Sequence, residues 1–172
     1  MALAAAILNA YGETGIFSDF CSAVRPLRVL EINLAGNLTP FLSSINGHRL
    51  VQYPDFDMQD LDLPSDSFDL VVHSDTLEHV QNPTRGLSEC YRVLRTGGHC
   101  IFTIPIVVDR MSRSREGLRP SYHGRSNVQE SDQLVRTEFG ADFWKFVILS
   151  GFRNCRIFSY EYPAAMAVIA RK

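Results

Sequence analysis

The four cysteines of this 172-residue chain, Cys21, Cys90, Cys100 and Cys155, include no C-x-x-C pair and lack the spacing of a zinc finger or ribbon. They read as reduced, buried small hydrophobes, and no metal is assigned from the sequence. No apolar run approaches the roughly 20 residues of a membrane span, so no membrane partner is expected. The opening stretch, residues 1–8, has no basic flank and is interrupted by Asn9, so it reads as a leading helix in a cytoplasmic protein rather than a signal segment. Charge of one sign is also lacking. Seventeen Lys and Arg against 19 Asp and Glu give −2, which argues against a nucleic-acid binder working by bulk attraction and favours a small-molecule or protein partner. Glycine (11) and proline (8) are too few for a collagenous or low-complexity chain, and no internal repeat occurs. What remains is 45% apolar and 21% charged residues. That is the make-up of one globular domain over residues 1–172, large enough to bury roughly 70% of its unfolded surface.

Strand and helix patterns alternate. Arg28–Ile32 is a short apolar run opened by Pro26 and closed by a turn over 33–37, and residues 38–45 read as a helix ended by Asn46 and Gly47. Residues 48–53 form a second strand candidate stopped by Pro54. Residues 68–73 form a third, nearly continuous in apolar side chains as a strand covered on both faces should be. Asn82 and Pro83 mark a helix start, a capping side chain followed by a residue whose missing N–H costs nothing in the first turn. Leu87, Cys90, Tyr91 and Leu94 then fall on one helical face, with Arg92 and Arg95 in the last turn and Gly97-Gly98 as the stop. Residues 100–104 make the next strand, ended by Pro105. Residues 106–136 show no sustained period, and so long an irregular stretch in a compact domain is functional or mobile. A helix over 141–150 and two apolar runs, 153–160 and 164–170, split by Tyr162 and Pro163, complete the chain as a hairpin. The expected fold class is α/β, a mostly parallel sheet ending in an antiparallel hairpin.

In such a sheet, ligands collect beyond the carboxyl ends of the strands, where strand order reverses. The residues there and around them are Val29-Leu30-Glu31-Ile32 with Gly36 to Thr39, Asp57-Met58 leading to Leu63-Pro64, Ser67 to Val72, Leu77-Glu78-His79-Val80, and Arg92 to Gly98. In kind and order, over about residues 28–105, they resemble the class I S-adenosylmethionine-dependent methyltransferases. The resemblance implies a Rossmann-like fold and S-adenosylmethionine as cofactor. It places Asn33 and Gly36 in the loop that meets the methionine part, Glu31 near the amine, and the backbone carbonyl of His73 against the amino-acid moiety. It gives Asp57 the exocyclic amine of adenine and the Met58 N–H a ring nitrogen, with Tyr53 in the stretch where the family has a ribose-binding acid. A nicotinamide-binding domain is set aside because no G-x-G-x-x-G follows a strand.

Two features depart from the family pattern. Its first loop carries three glycines, whereas residues 31–36 carry one and are one residue shorter; Asn33 can adopt positive φ and Ala35 is small, but Leu34 stands where it could plug the hollow. Only 35 residues separate Ile32 from Phe68, with 14 of them after Tyr53, too few for a further crossover. One edge strand and one helix of the family's seven-stranded sheet are therefore expected to be missing, and a homodimer could cover the pairing groups so exposed.

Methyl transfer from a sulfonium asks the protein for alignment and a deprotonated nucleophile, because the cofactor carries its own leaving group. His79, and His123 within Tyr122-His123-Gly124, are the candidate catalytic bases. Asp75, Glu78 and His79 resemble the acid-x-x-Glu-His arrangement with which ubiquinone-type O-methyltransferases hold a divalent metal, yet a further ligand is lacking. Arg110, Arg113, Arg115, Arg119 and Arg125 stand against Glu116 alone, a local balance of +4, while residues 55–78 carry eight acids and no Lys or Arg. That loop either clamps an anionic acceptor or pairs with the acidic stretch. The Tyr-His-Gly segment is similar to one in methyltransferase-like proteins near sugar-transfer genes, which implies a carbohydrate-linked acceptor. Two functions follow: a methyltransferase acting on a small anionic or carbohydrate-linked molecule, or a methyltransferase-like binding module that has lost its cofactor.

Overall fold

The computed structural model describes residues 1–23, 26–122, 131–160 and 166–172. Its main sheet has six strands: β1 (Arg28–Ile32), β2 (Gly47–Val51), β3 (Phe68–Ser74), β4 (Leu94–Thr103), β8 (Arg156–Ser159) and β9 (Met166–Arg171), in the order β2-β1-β3-β4-β9-β8. The first four run parallel; β9 pairs antiparallel with β4, and β8 with β9. The expected mostly parallel sheet with a terminal hairpin is what forms. Residues 52–67 contain turns only, so the chain passes from β2 directly to β3 and β2 stays at the edge. That is the missing strand and helix which the residue count demanded.

Helices cover both faces, because β1 and β3 are buried at successive positions rather than at alternate ones, with Val29, Leu30 and Ile32 and with Leu70, Val71 and Val72. On one face Leu30, Val71, Cys100 and Phe102 meet α4 (Pro83–Val93) and α5 (Trp144–Leu149) through Leu87, Cys90, Val93 and Val147. On the other, Val29, Leu70, Val72 and Ile101 meet α1 (Ala2–Ala10), α2 (Phe17–Ser22) and α3 (Thr39–Leu42) through Leu3, Ile7, Phe20 and Leu42. Among the described residues no helix is long and apolar enough to cross a membrane.

Three local expectations change. α4 starts as read, with the Asn82 side chain accepting from the Arg85 N–H at 3.1 Å, but it ends at Val93. Leu94 already pairs with Phe68, so strand pairing replaces the last turn, and Gly97 (φ +85°) lies inside β4. The helix expected over 38–45 is a short 3₁₀ turn followed by α3, which stops at Leu42. Within the aperiodic stretch and just beyond it lie β5 (Ile106–Val107), β6 (Arg113–Ser114) and β7 (Thr137–Gly140), a small separate sheet ordered β5-β7-β6. Strands of two to four residues carry too few positions to register as a period.

Gly47 opens β2 rather than closing a helix. A Cβ there would sit 2.3 Å from the Leu27 carbonyl oxygen and 3.1 Å from the Arg28 Cα, and both are backbone. Gly47→Ala is therefore expected to cost about 2 kcal/mol, in the range of overpacked sites, and to lower the melting temperature by roughly 4–8 °C in a thermal melt.

Candidate functional site

Strand order reverses at β1, whose parallel neighbours are β2 on one side and β3 on the other, so the crevice beyond their carboxyl ends is the place a ligand can enter. Asn33 builds its floor. It takes up φ +57°, donates its N–H to Val51 at 2.8 Å, accepts from the Tyr53 N–H at 3.1 Å and reaches Thr76 Oγ1 at 3.5 Å through its amide. One side chain thus ties the ends of three strands, a role that a short polar residue tolerant of the left-handed region can fill.

A cleft of about 430 Å³ opens above it, within the range of small-molecule sites. Of the residues singled out in the sequence, Asn33, Tyr53, Asp57, Met58 and His79 line it. Leu34 also lines it but is 55% exposed at the rim and does not plug it. Met58 packs inward against α4, where a Cβ on Gly86 would come within 3.3 Å of its Cγ. Asp57 accepts from the Gln59 N–H at 2.8 Å.

Three others lie elsewhere. The Glu31 carboxylate is fully buried behind the loop: Oε1 accepts from the Ala35 N–H at 2.8 Å and from the Thr39 hydroxyl, and Oε2 meets His48 Nε2 at 2.7 Å. Its oxygens are engaged in holding the loop, not turned toward an amine in the cleft. Gly36 (φ +59°) shapes the turn into α3 and is not among the lining residues. The His73 ring is wholly buried, stacked on Phe102 at 4.5 Å, and burial pushes its pKa down to about 3. Only its backbone belongs to the strand end. His123, like Arg125, lies outside the described residues.

On the far wall, His79 Nδ1 donates to the Leu134 carbonyl at 3.2 Å, which sets the tautomer with the lone pair on Nε2, 3.6 Å from Glu78 Oε1. Glu78 is 1% exposed, and its pKa is pushed up to about 8, first by burial and then by the nearby charge of Asp75. Asp75, Glu78 and His79 do not converge as metal ligands would. Asp132, Gln81 and Arg136 also line the cleft and were not foreseen. Asp132 and Arg136 come from the aperiodic stretch, where no sequence signal points to them.

A second cleft, about 760 Å³, adjoins the first and shares Gln81 and Arg136 with it. Arg113, Arg115, Arg119 and Arg136 line it against the single acid Glu116. Of the two alternatives left open for this loop, pairing with the acidic stretch is not what Arg110, Arg113 and Arg115 do. Glu138 on β7, 14% exposed, receives Arg110 and Arg113 at 2.7 Å each, and Arg115 as well. Three guanidiniums on one carboxylate leave a net +2 beside the cleft.

A family profile described as a methyltransferase domain matches residues 10–102, more than half of the chain. A Mycolicibacterium smegmatis protein described as a "probable S-adenosylmethionine-dependent methyltransferase" is 30% identical over 95 residues, 52% of this chain and 37% of that one. A chloroplastic 2-methyl-6-phytyl-1,4-hydroquinone methyltransferase of Oryza sativa is 42% identical over 50 residues, 29% of this chain and 14% of that one. The chain thus spans well under half the length of these relatives. In three dimensions it is similar to a SAM-dependent methyltransferase from Thermotoga maritima, with a TM-score of 0.56 at 19% identity, covering 87% of this chain and 84% of the other.

The raised pKa of Glu78 has a sign that can be measured. The folded state holds this proton up to about pH 8, whereas an unfolded glutamate loses it near 4.5, so the group's contribution to stability is full below pH 4.5 and declines as pH rises toward 8. In thermal melts from pH 5 to 8, wild type is expected to lose stability relative to Glu78→Gln. Parallel curves would show that this carboxyl titrates normally.

Proposed function

Because the chain belongs to the class I S-adenosylmethionine-dependent methyltransferase family, we propose that it transfers a methyl group from that cofactor, seated in the smaller cleft, to a small anionic acceptor held in the arginine-lined one. The observation that carries this reading is the junction of the two clefts at Gln81 and Arg136, which would set donor and acceptor side by side. When bound, the cofactor supplies an electrophilic methyl group with its leaving group already attached.

The cleft suits such a group. Phe56, Met58 and Val80 offer apolar walls for a flat base, and Asp57 offers a carboxylate for an exocyclic amine. Ser74, Asp75 and Thr76 offer acceptors and hydroxyls beyond β3, where an ammonium and hydroxyls need partners. His79, which lines the cleft, is the candidate to take a proton from the acceptor, and the Leu134 carbonyl, meeting its Nδ1 at 3.2 Å, would hold the imidazole in place. Arg119 and Arg136 would orient a phosphate or carboxylate, since the guanidinium fork matches both. The carbohydrate-linked alternative rested on Tyr122-His123-Gly124, whose last two residues lie outside the described ones.

Calorimetric titration with S-adenosylhomocysteine tests the first half. A micromolar Kd is expected, with a rise of several degrees in melting temperature at millimolar ligand and at least a tenfold weakening in Asp57→Ala. Absence of both heat and stabilisation would favour the binding module that has lost its cofactor. For the second half, inorganic phosphate at 10–50 mM is expected to raise the melting temperature of wild type. Arg119→Ala should lose that rise while keeping S-adenosylhomocysteine affinity within about twofold, as a residue of the second cleft alone should.

A further inference from the structure

Away from both clefts, one group of metal-ligating side chains converges among the described residues: His73 on β3, Cys90 on α4 and Cys100 on β4. All three are 0% exposed, and their donor atoms lie within 4.8 Å of one another. The strand register explains the meeting. Cys100 pairs with Val71 and Phe102 with His73, so Cys100 and His73 leave adjacent strands on the same face, two residues apart, toward α4. On that helix Cys90 lies on the buried side with Leu87 and Val93.

The imidazole marks this as more than core packing. Neither Nδ1 nor Nε2 of His73 has a hydrogen-bond partner. A buried polar atom left unpaired destabilises the fold, a cost that any apolar side chain of similar size would avoid. Phe102 covers the face of the ring, and the two thiols stand near its nitrogen-bearing edge.

We propose that His73, Cys90 and Cys100 form an internal three-coordinate site for a soft monovalent d¹⁰ cation, Cu(I). Sulfur ligands about 2.3 Å from a central ion lie about 4.0 Å apart in a trigonal plane, so the donors need to close by less than about 1 Å. Two sulfurs and an imidazole exclude the oxygen-seeking cations and select Cu(I) or Zn(II). Structural zinc takes four ligands, whereas no fourth His, Cys, Asp or Glu joins this group among the described residues. Binding breaks one S–H bond and forms a copper–thiolate bond, with the second thiol and the neutral imidazole as further donors. The proton goes to solvent, the site stays neutral, and copper remains Cu(I). The ion would fasten α4 to β3 and β4.

The test uses the purified full chain, without oxygen and with its thiols kept reduced by a phosphine. Cu(I) is supplied from a chromophoric chelator and followed by competition, by thermal melts and by X-ray absorption. The expected result is one equivalent bound, a rise of at least about 5 °C in melting temperature, and a first shell of two sulfurs and one nitrogen. Cys90→Ser and Cys100→Ala, each checked for folding by its metal-free melt, should weaken binding at least 100-fold. The control Cys21→Ser/Cys155→Ser should retain it. Failure of wild type to hold the ion against the chelator overturns the proposal, as does undiminished binding by the folded Cys90 or Cys100 variants. Tighter retention of Zn(II) than of Cu(I) in direct competition overturns the choice of ion. None of these outcomes depends on whether the chain transfers methyl groups.

Discussion

The ligand-facing end of the sheet is organised around one buried carboxylate. Glu31 sits at the carboxyl end of β1, where the chain must turn back at once into a loop that the family builds with glycines. With a single glycine available, the loop is held by its donors: the Ala35 N–H and the Thr39 hydroxyl on one oxygen, and His48 of β2 on the other. Donors to both oxygens offset the cost of burying this acid. Asn33 completes the arrangement by taking up the left-handed backbone that glycine would otherwise supply. The cleft therefore stays open with Leu34 at its rim, because the loop is anchored from behind rather than folded over the space.

The basic segment after β4 obeys the same rule of local satisfaction. Guanidiniums on Arg110, Arg113 and Arg115 converge on Glu138 because β6 lies antiparallel to β7, with Arg113 directly across from Glu138. Cross-strand opposition of unlike charges accounts for this placement. One carboxylate cannot neutralise three cations, so positive potential remains along the wall of the larger cleft. Within the acidic stretch over residues 55–78, Asp69 pairs with Arg95 at 3.2 Å and Asp66 with Lys172 at 2.8 Å.

The layer between the sheet and α4 combines ordinary apolar packing with a polar exception. Leu87, Val93 and Phe102 fill it as the helical and strand periods require, while His73 enters at a strand position whose alternation points inward. Burial beneath a stacked phenyl ring and beside two thiols lowers the pKa of its imidazole, because the charged form is desolvated there. The same layer supports the near side of the cleft, because Met58 rests on α4 at Gly86.

Much of the fold was legible because it is written in local periods: continuous apolar runs at 28–32 and 68–73, a capped amphipathic helix from Pro83, and too few residues before Phe68 for another crossover. Asn33, Tyr53, Asp57, Met58 and His79 could be placed at strand ends for the same reason, since a strand's end and a turn's start are local events. What could not be read were pairings across distance. Glu31 turns to Thr39 and His48, Glu138 gathers arginines from more than twenty residues upstream, Arg136 comes to serve both clefts, and His73 meets Cys90 and Cys100. Sequence alone determined the strands of the main sheet, the start of α4 and which strand ends border the smaller cleft, because backbone geometry and the alternation of side chains follow from neighbouring residues. The tertiary structure alone decided which charges and donors are satisfied, because a buried polar group takes its partner from whatever chain the packing brings within about 3 Å.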